Sequence, residues 1–395
     1  MREGKPESLR LLMIVQITQS FRGGIISPIM ALFIRRQGLS ITQIGLLGTA
    51  GMLGWFIFEP LSGIIADRVR KKYMIIFAVV TSTVIYASYP YASSIWHFAV
   101  LAFVSSSVMS TYAVSVKALT AEFLPTSQRG RAYGRYLSII SAGGILAPFI
   151  GGFVTSSFGY DLPFFISAGI GVISLGAVLV MRSDEEVNGG EAEEGEAGDA
   201  SLMTRPILSI FTVRGLYMFN QLLRQHFLPI YLNESPNFNA SEAEIGAYMG
   251  VLRIASAVSQ AFLGELNDRL GSKRIIVSSV VLLALSYLGM TYFSGIVALY
   301  VLGGLQGVVM AAANMSMMIH LMAIMPEGRT GMVMGLYSEA ENVGGMIASP
   351  SLGYIYDGVG PAFTLQSVSA VLISTAAIAL LLIGKDDRYE KSSHT

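Results

Sequence analysis

The sequence predicts an all-α membrane protein in which twelve transmembrane helices form two pseudo-symmetric six-helix bundles. Three observations carry this expectation. Of the 395 residues, 53% are hydrophobic and 13% charged, with a mean hydropathy of +0.59, too apolar for a water-soluble globule of this length. Apolar runs of about 20 residues or more, enough to cross a bilayer, recur from end to end. The chain also repeats itself at a fixed offset of 201 positions, so that Gly63, Asp67 and Arg68 return as Gly264, Asp268 and Arg269.

The same register pairs Pro28 with Pro229, Gly45 with Gly246, Gly143-Gly144 with Gly344-Gly345, Gly152 with Gly353 and Gly159 with Gly360. One register held over most of the chain marks a duplicated unit, and a period near half the chain length makes it a two-domain duplication. The expected domains are residues 1–182 and 206–395, joined by an acidic linker at 183–205.

The first apolar run, about 11–34, is too long for a cleavable signal core and reads as a retained helix. Five more follow at about 41–66, 72–91, 95–118, 131–157 and 161–181. The segment from Ser183 to Thr204 holds eight acids and no Lys or Arg, a composition that cannot pack and suits a disordered tether. The second set lies at about 206–232, 243–266, 274–293, 296–323, 331–356 and 361–383. With the amino terminus inside, the termini and inner loops hold nineteen Lys and Arg, and the outer loops only Arg35 and Arg36. Both termini and both charged hairpins are therefore expected in the cytoplasm.

Each hairpin has a Gly, then an acid beside an Arg, then paired basic residues before the next apolar run. This pattern, Gly63-Ile64-Ile65-Ala66-Asp67-Arg68 and its copy Gly264 to Arg269, resembles the signature of the major facilitator superfamily. Arg70 stands where the pattern has a Gly, which the second copy keeps as Gly271. The resemblance implies an inner latch, with Glu122 and Arg131 as partners of the charged hairpin; a simple topogenic anchor is the alternative. The fifth segment carries Gly143, Pro148, Gly151 and Gly152, which resemble the antiporter motif of drug efflux members. The alternative for this motif is a packing seam, since small residues allow close helix approach and Pro bends a helix.

Charges at membrane depth are costly and are functional candidates by default. Arg22, Arg224, Arg253 and His226 are candidates for substrate binding, and Glu59, Glu339 and Glu341 for proton coupling. Arg22 and Arg224 are nearly equivalent across the repeat, which resembles the organophosphate exchangers of the superfamily. Glu339 and Glu341 are about 200° apart on a helix, so at most one is expected to face the cavity and the other a neighbouring helix.

The absence of Cys excludes disulfides and thiolate metal sites, and four scattered His give no ligand spacing. No metal or cofactor is expected, nor any nucleic-acid partner. Without a phosphate loop or nucleophile constellation, the chain does not read as an enzyme. The expected function is proton-coupled antiport of small organic or amphipathic compounds by a monomer in the cytoplasmic membrane of a prokaryote. The alternative is uptake or exchange of an organic anion held by Arg22 and Arg224, and a membrane sensor without transport is a third reading. Substrate, protons and the lipid bilayer are the expected partners.

Overall fold

The computed structural model describes residues 5–66, 68–123, 140, 143–181, 204–326 and 329–384. These form helices, and no strand occurs among them. Seven of the described helices are long and apolar enough to cross a membrane, eight if one bent pair is a single span. The other expected spans are also helical where described. The fifth begins outside the described residues, and others carry mid-helix charges and amides that lower their hydropathy. The acidic linker lies outside the described residues but for its last positions.

The chain divides into two compact units. The first comprises Met1–Leu39, Leu46–Glu193 and Ser241–Gly250. Its helices are α1 (Lys5–Ile26), α2 (Met30–Arg36), α3 (Ile41–Ala66), α4 (Lys71–Ser88), α5 (Ile95–Phe123), α6 (Ala147–Phe158) and α7 (Asp161–Val180). Pro28 offers no amide hydrogen, so the helix breaks there, and α2 leaves α1 at 41°. The α1 helix packs on α7 and α6, and α4 packs on α5 and α7. Leu12 and Val15 of α1, Ile75 and Val79 of α4, Val116 of α5 and Val178 of α7 close the core between them.

The second unit comprises Ser40–Gly45, Glu194–Ala240 and Val251–Thr395. It holds α8 (Arg205–Leu222), a π-helical turn at Leu223–Phe227 and α9 (Leu228–Glu234). Then follow α10 (Glu242–Leu270), α11 (Ser272–Tyr292), α12 (Ile296–Ile324), α13 (Thr330–Gly358) and α14 (Pro361–Leu382). The α11 helix packs on α12 and α14, while α8 packs on α13 and α14.

The two hairpins turn differently. The second is almost without a loop, because Gly271 at φ +84° links the end of α10 to Ser272 directly, a conformation that costs Gly little. At the matching position Arg70 has φ −57° and ψ 121°, and α3 ends earlier, at Ala66.

Candidate functional site

Three charged groupings stand out, one in the first unit and two in the second. In the first unit Arg22 is 0% exposed. Its Nε donates to the Ser167 carbonyl at 2.7 Å, Nη1 to Gln19 Oε1 at 2.6 Å and to Ser82 Oγ at 3.3 Å, and Nη2 to Thr83 Oγ1 at 3.2 Å. The guanidinium carbon lies 4.9 Å from the centre of the Tyr86 ring, in cation–π range. Gly171 of α7 makes the room, since a Cβ there would strike Thr83 Oγ1 and come within 2.8 Å of the guanidinium. Four of the five N–H donors of Arg22 are thus engaged by α1, α4 or α7. The side chain expected to bind substrate has no surface left to offer, and it ties three helices of its own unit.

In the second unit α8 and α13 cross at Gly215 and Gly344, where a Cβ on Gly344 would collide with the Gly215 carbonyl. That close approach brings together the side chains one residue and one turn away. Arg214 Nε meets Glu341 Oε1 at 2.5 Å, and the pair is mostly enclosed, with side chains 12% and 28% exposed. Arg214 Nη1 also donates to Asn314 Oδ1 of α12 at 2.6 Å. The Tyr337 and Tyr217 rings lie 5.4 and 5.7 Å from the guanidinium carbon. Of the neighbouring acids in α13, Glu341 turns to α8, while Glu339 accepts from Asn342 of its own helix at 3.4 Å. Sequence reasoning named Glu341 but passed over Arg214. The signal was present, an Arg about ten residues into an apolar run, the same criterion that selected Arg224.

About ten residues further along, some 15 Å at helical rise, stand Arg224 and His226 in the π turn. The turn follows from Pro229: with no amide hydrogen and a ring that clashes with the carbonyl four residues back, proline disfavours a regular helix here. Widening by one residue relieves it, and the Leu228 amide bonds back to the Leu223 carbonyl. Arg253 of α10 lies within electrostatic reach of Arg224, as does His226.

The remaining candidates are dispersed. Glu59 of α3 is half-buried and makes no ion pair among the described residues. Asp67 and Arg131 lie outside the described residues, as does the side chain of Glu122, so the latch is described only through Gly63, Arg68, Gly264, Asp268 and Arg269. Arg269 pairs with Glu265 of its own helix, and Asp268 is exposed.

The fifth-segment motif is a packing surface in this structure. Gly143 faces Ile17, and Gly151 lies against the Ile25 carbonyl of α1. Gly152 and the Pro148 carbonyl receive the start of α10, the stretch up to Gly250 that belongs to the first unit, where Gly246 leaves the matching space. The repeat has the same seam in the second unit, with Gly45 against Ser349 and Gly353 against Ile41. Polar contacts secure both seams: Tyr160 Oη donates to Glu242 Oε1 at 2.7 Å, and the Thr42 amide and hydroxyl each donate to Asp357 Oδ2 at 2.7 Å.

The family model of the Major Facilitator Superfamily matches residues 12–233 and 215–394. The chain is 22% identical to an uncharacterized MFS-type transporter, MJ1560, of Methanocaldococcus jannaschii, over 92% of this chain and 95% of that protein. It is 24% identical to multidrug resistance protein 2 of Bacillus subtilis, over 98% of both. Among solved structures, that of the nucleoside transporter NupG superposes with a TM-score of 0.74 at 13% identity, over 95% of this chain and 97% of that one. The two matched halves, the helical fold and the paired hairpins agree, and the chain belongs to the Major Facilitator Superfamily of multi-pass membrane transporters.

Proposed function

We propose that this transporter exports small organic or amphipathic compounds in exchange for protons, by alternating access, across a prokaryotic cytoplasmic membrane. The observation that carries the proton half of this reading is the Glu341–Arg214 pair. It is a carboxylate at mid-helix, partly open to its surroundings and held by one guanidinium that also has Asn314 to bond. Taking up a proton removes the ion pair, and with it the charge-assisted tie between α8 and α13. Arg214 keeps Asn314 and two tyrosine rings, so the loss is survivable. Efflux is supported by the Bacillus subtilis relative, which is named for multidrug resistance.

The test is reconstitution in proteoliposomes under an imposed proton gradient, with ethidium and 4-phenylbutyrate as test compounds. Glu341→Gln should abolish uphill accumulation yet keep downhill exchange, because a neutral amide mimics the protonated acid permanently. Undiminished proton-driven accumulation in Glu341→Gln would overturn the assignment.

A further inference from the structure

The second unit holds a cationic grouping that the proton pathway leaves unused. Arg224 is half-buried, yet its Nε is sealed from solvent without a hydrogen-bond acceptor, and the same is true of His226 Nδ1 in the same π turn. No carboxylate among the described residues ion-pairs with Arg224. The neighbouring charge is another cation, Arg253. An intramembrane guanidinium is expensive unless it is paired or hydrogen-bonded, and the other deep arginines obey that rule. Arg22 has four internal acceptors, and Arg214 has Glu341 and Asn314. Arg224 shares the π turn that Pro229 widens with His226, has Arg253 within electrostatic reach, and has no acceptor for its Nε.

We propose that Arg224, Arg253 and His226 form a binding site for the anionic group of the transported compound, a carboxylate or phosphate monoester on an apolar body. The Arg224 guanidinium supplies forked donors of the geometry that such oxygens accept in pairs, and Arg253 adds a second positive charge within electrostatic reach. The turn itself is anchored, since Phe227, buried beside His226, stacks on Tyr356 of α13 with ring centres 6.4 Å apart. The inference rests on the transport reading and narrows its substrate class. It moves the anion site away from the pairing of Arg22 with Arg224, because Arg22 is consumed within its own unit, and places all three groups in the second unit.

The test uses the full-length protein in neutral phosphatidylcholine nanodiscs, with ligand binding read by thermal shift and calorimetry. The probes are 4-phenylbutyrate and phenyl phosphate, compared with 4-phenylbutanol and 4-phenylbutylamine, which differ from the first in charge but little in shape. The anions should bind and stabilise, and the alcohol and amine should not. Arg224→Gln and Arg253→Gln should each weaken anion binding roughly tenfold or more, the loss expected for one charge-assisted contact, while Arg224→Lys restores part of it. The unfolding temperature of each unliganded variant shows that the fold persists.

Equal stabilisation by the alcohol or amine, or full anion binding in both glutamine variants, would overturn the proposal. So would stabilisation by added phosphatidylglycerol with none by the soluble anions, which would make this a lipid headgroup site. The Glu341→Gln variant separates the two readings. Anion binding that survives in it while proton coupling is lost supports both assignments. Anion binding absent from a wild type that still exports ethidium against protons sinks only the substrate class, and anion binding with no proton coupling in the wild type sinks only the antiport.

Discussion

Arg22 shows how little a residue's depth alone reveals about its task. Depth makes a guanidinium a candidate for function, but what decides is whether its donors are already taken. The acceptors of Arg22 lie on three helices, so its planar fork joins Ser167 on α7 to Ser82 and Thr83 on α4. A lysine ammonium cannot span them. Arg22→Lys is therefore expected to lower stability by about 2–4 kcal/mol, from lost charged hydrogen bonds and acceptors left unpaired. Gly171→Ala should reproduce that loss by pushing the guanidinium out of place. Thermal unfolding is the readout, and surviving protein should bind 4-phenylbutyrate as wild type does. A stable Arg22→Gln protein that has lost anion binding would show instead that Arg22 touches substrate. The residues to suspect were legible in the sequence, since Arg22, Arg224, Arg253 and Glu341 all interrupt apolar runs. Their partners were not, because Gln19, Ser82, Thr83 and Asn314 look like ordinary helix polar residues until packing assigns them. Arg214 could have been found by the same rule and was overshadowed by its neighbour Arg224.

At the scale of the element, one sequence feature produces two structures. Pro28 and Pro229 occupy matched positions in the repeat, and each removes one helical amide. In the first unit the chain answers with a break and a bend of 41°. In the second it answers with a π turn and continues into α9. That proline disturbs the helix is legible from sequence; which relief it takes depends on the packing around it, here of the π turn against α13. The π turn is also what sets Arg224 and His226 apart from the line of Arg214, since one extra residue rotates everything before it by about 100° relative to everything after. Pro229→Ala returns the missing donor and removes the clash, so the helix should close to a regular α-helix. Expression and thermal stability are expected to hold or rise, while affinity for 4-phenylbutyrate falls at least as far as in Arg224→Gln. Unchanged affinity in Pro229→Ala would mean that the turn does not present the anion site. The glycine seams were legible in another way: the repeat register picked out Gly45, Gly152, Gly246 and Gly353, but gave no indication of which backbone each one meets.

At the scale of the whole molecule, the duplication preserves the frame and not the chemistry. Hairpins, prolines and close-packed glycines recur at an offset of 201 positions, which is why the fold could be read from the sequence. The mid-helix charges do not recur in that register, although those of the hairpins do. Arg214 corresponds to Met13, Glu341 to Ile140, Arg253 to Met52, and Glu59 to Gln260. The first unit spends its deep Arg on its own cohesion, whereas the second holds a carboxylate that one guanidinium can release and a cationic turn with donors to spare. Glu59 lacks what Glu341 has, a guanidinium partner whose release would change how two helices are tied. Protonation of a carboxylate moves an equilibrium between two states only if the two charge forms interact differently with those states. Coupling is therefore expected to reside in the second unit. Glu59→Gln and Glu339→Gln should each leave proton-driven accumulation in proteoliposomes within about twofold of wild type, less than the tenfold that 1.4 kcal/mol of lost interaction would produce. Arg214→Gln should resemble Glu341→Gln in losing the proton dependence, because either change removes the same ion pair. Glu59→Gln that abolishes accumulation while Arg214→Gln spares it would place the proton carrier in the first unit and reverse this division of labour.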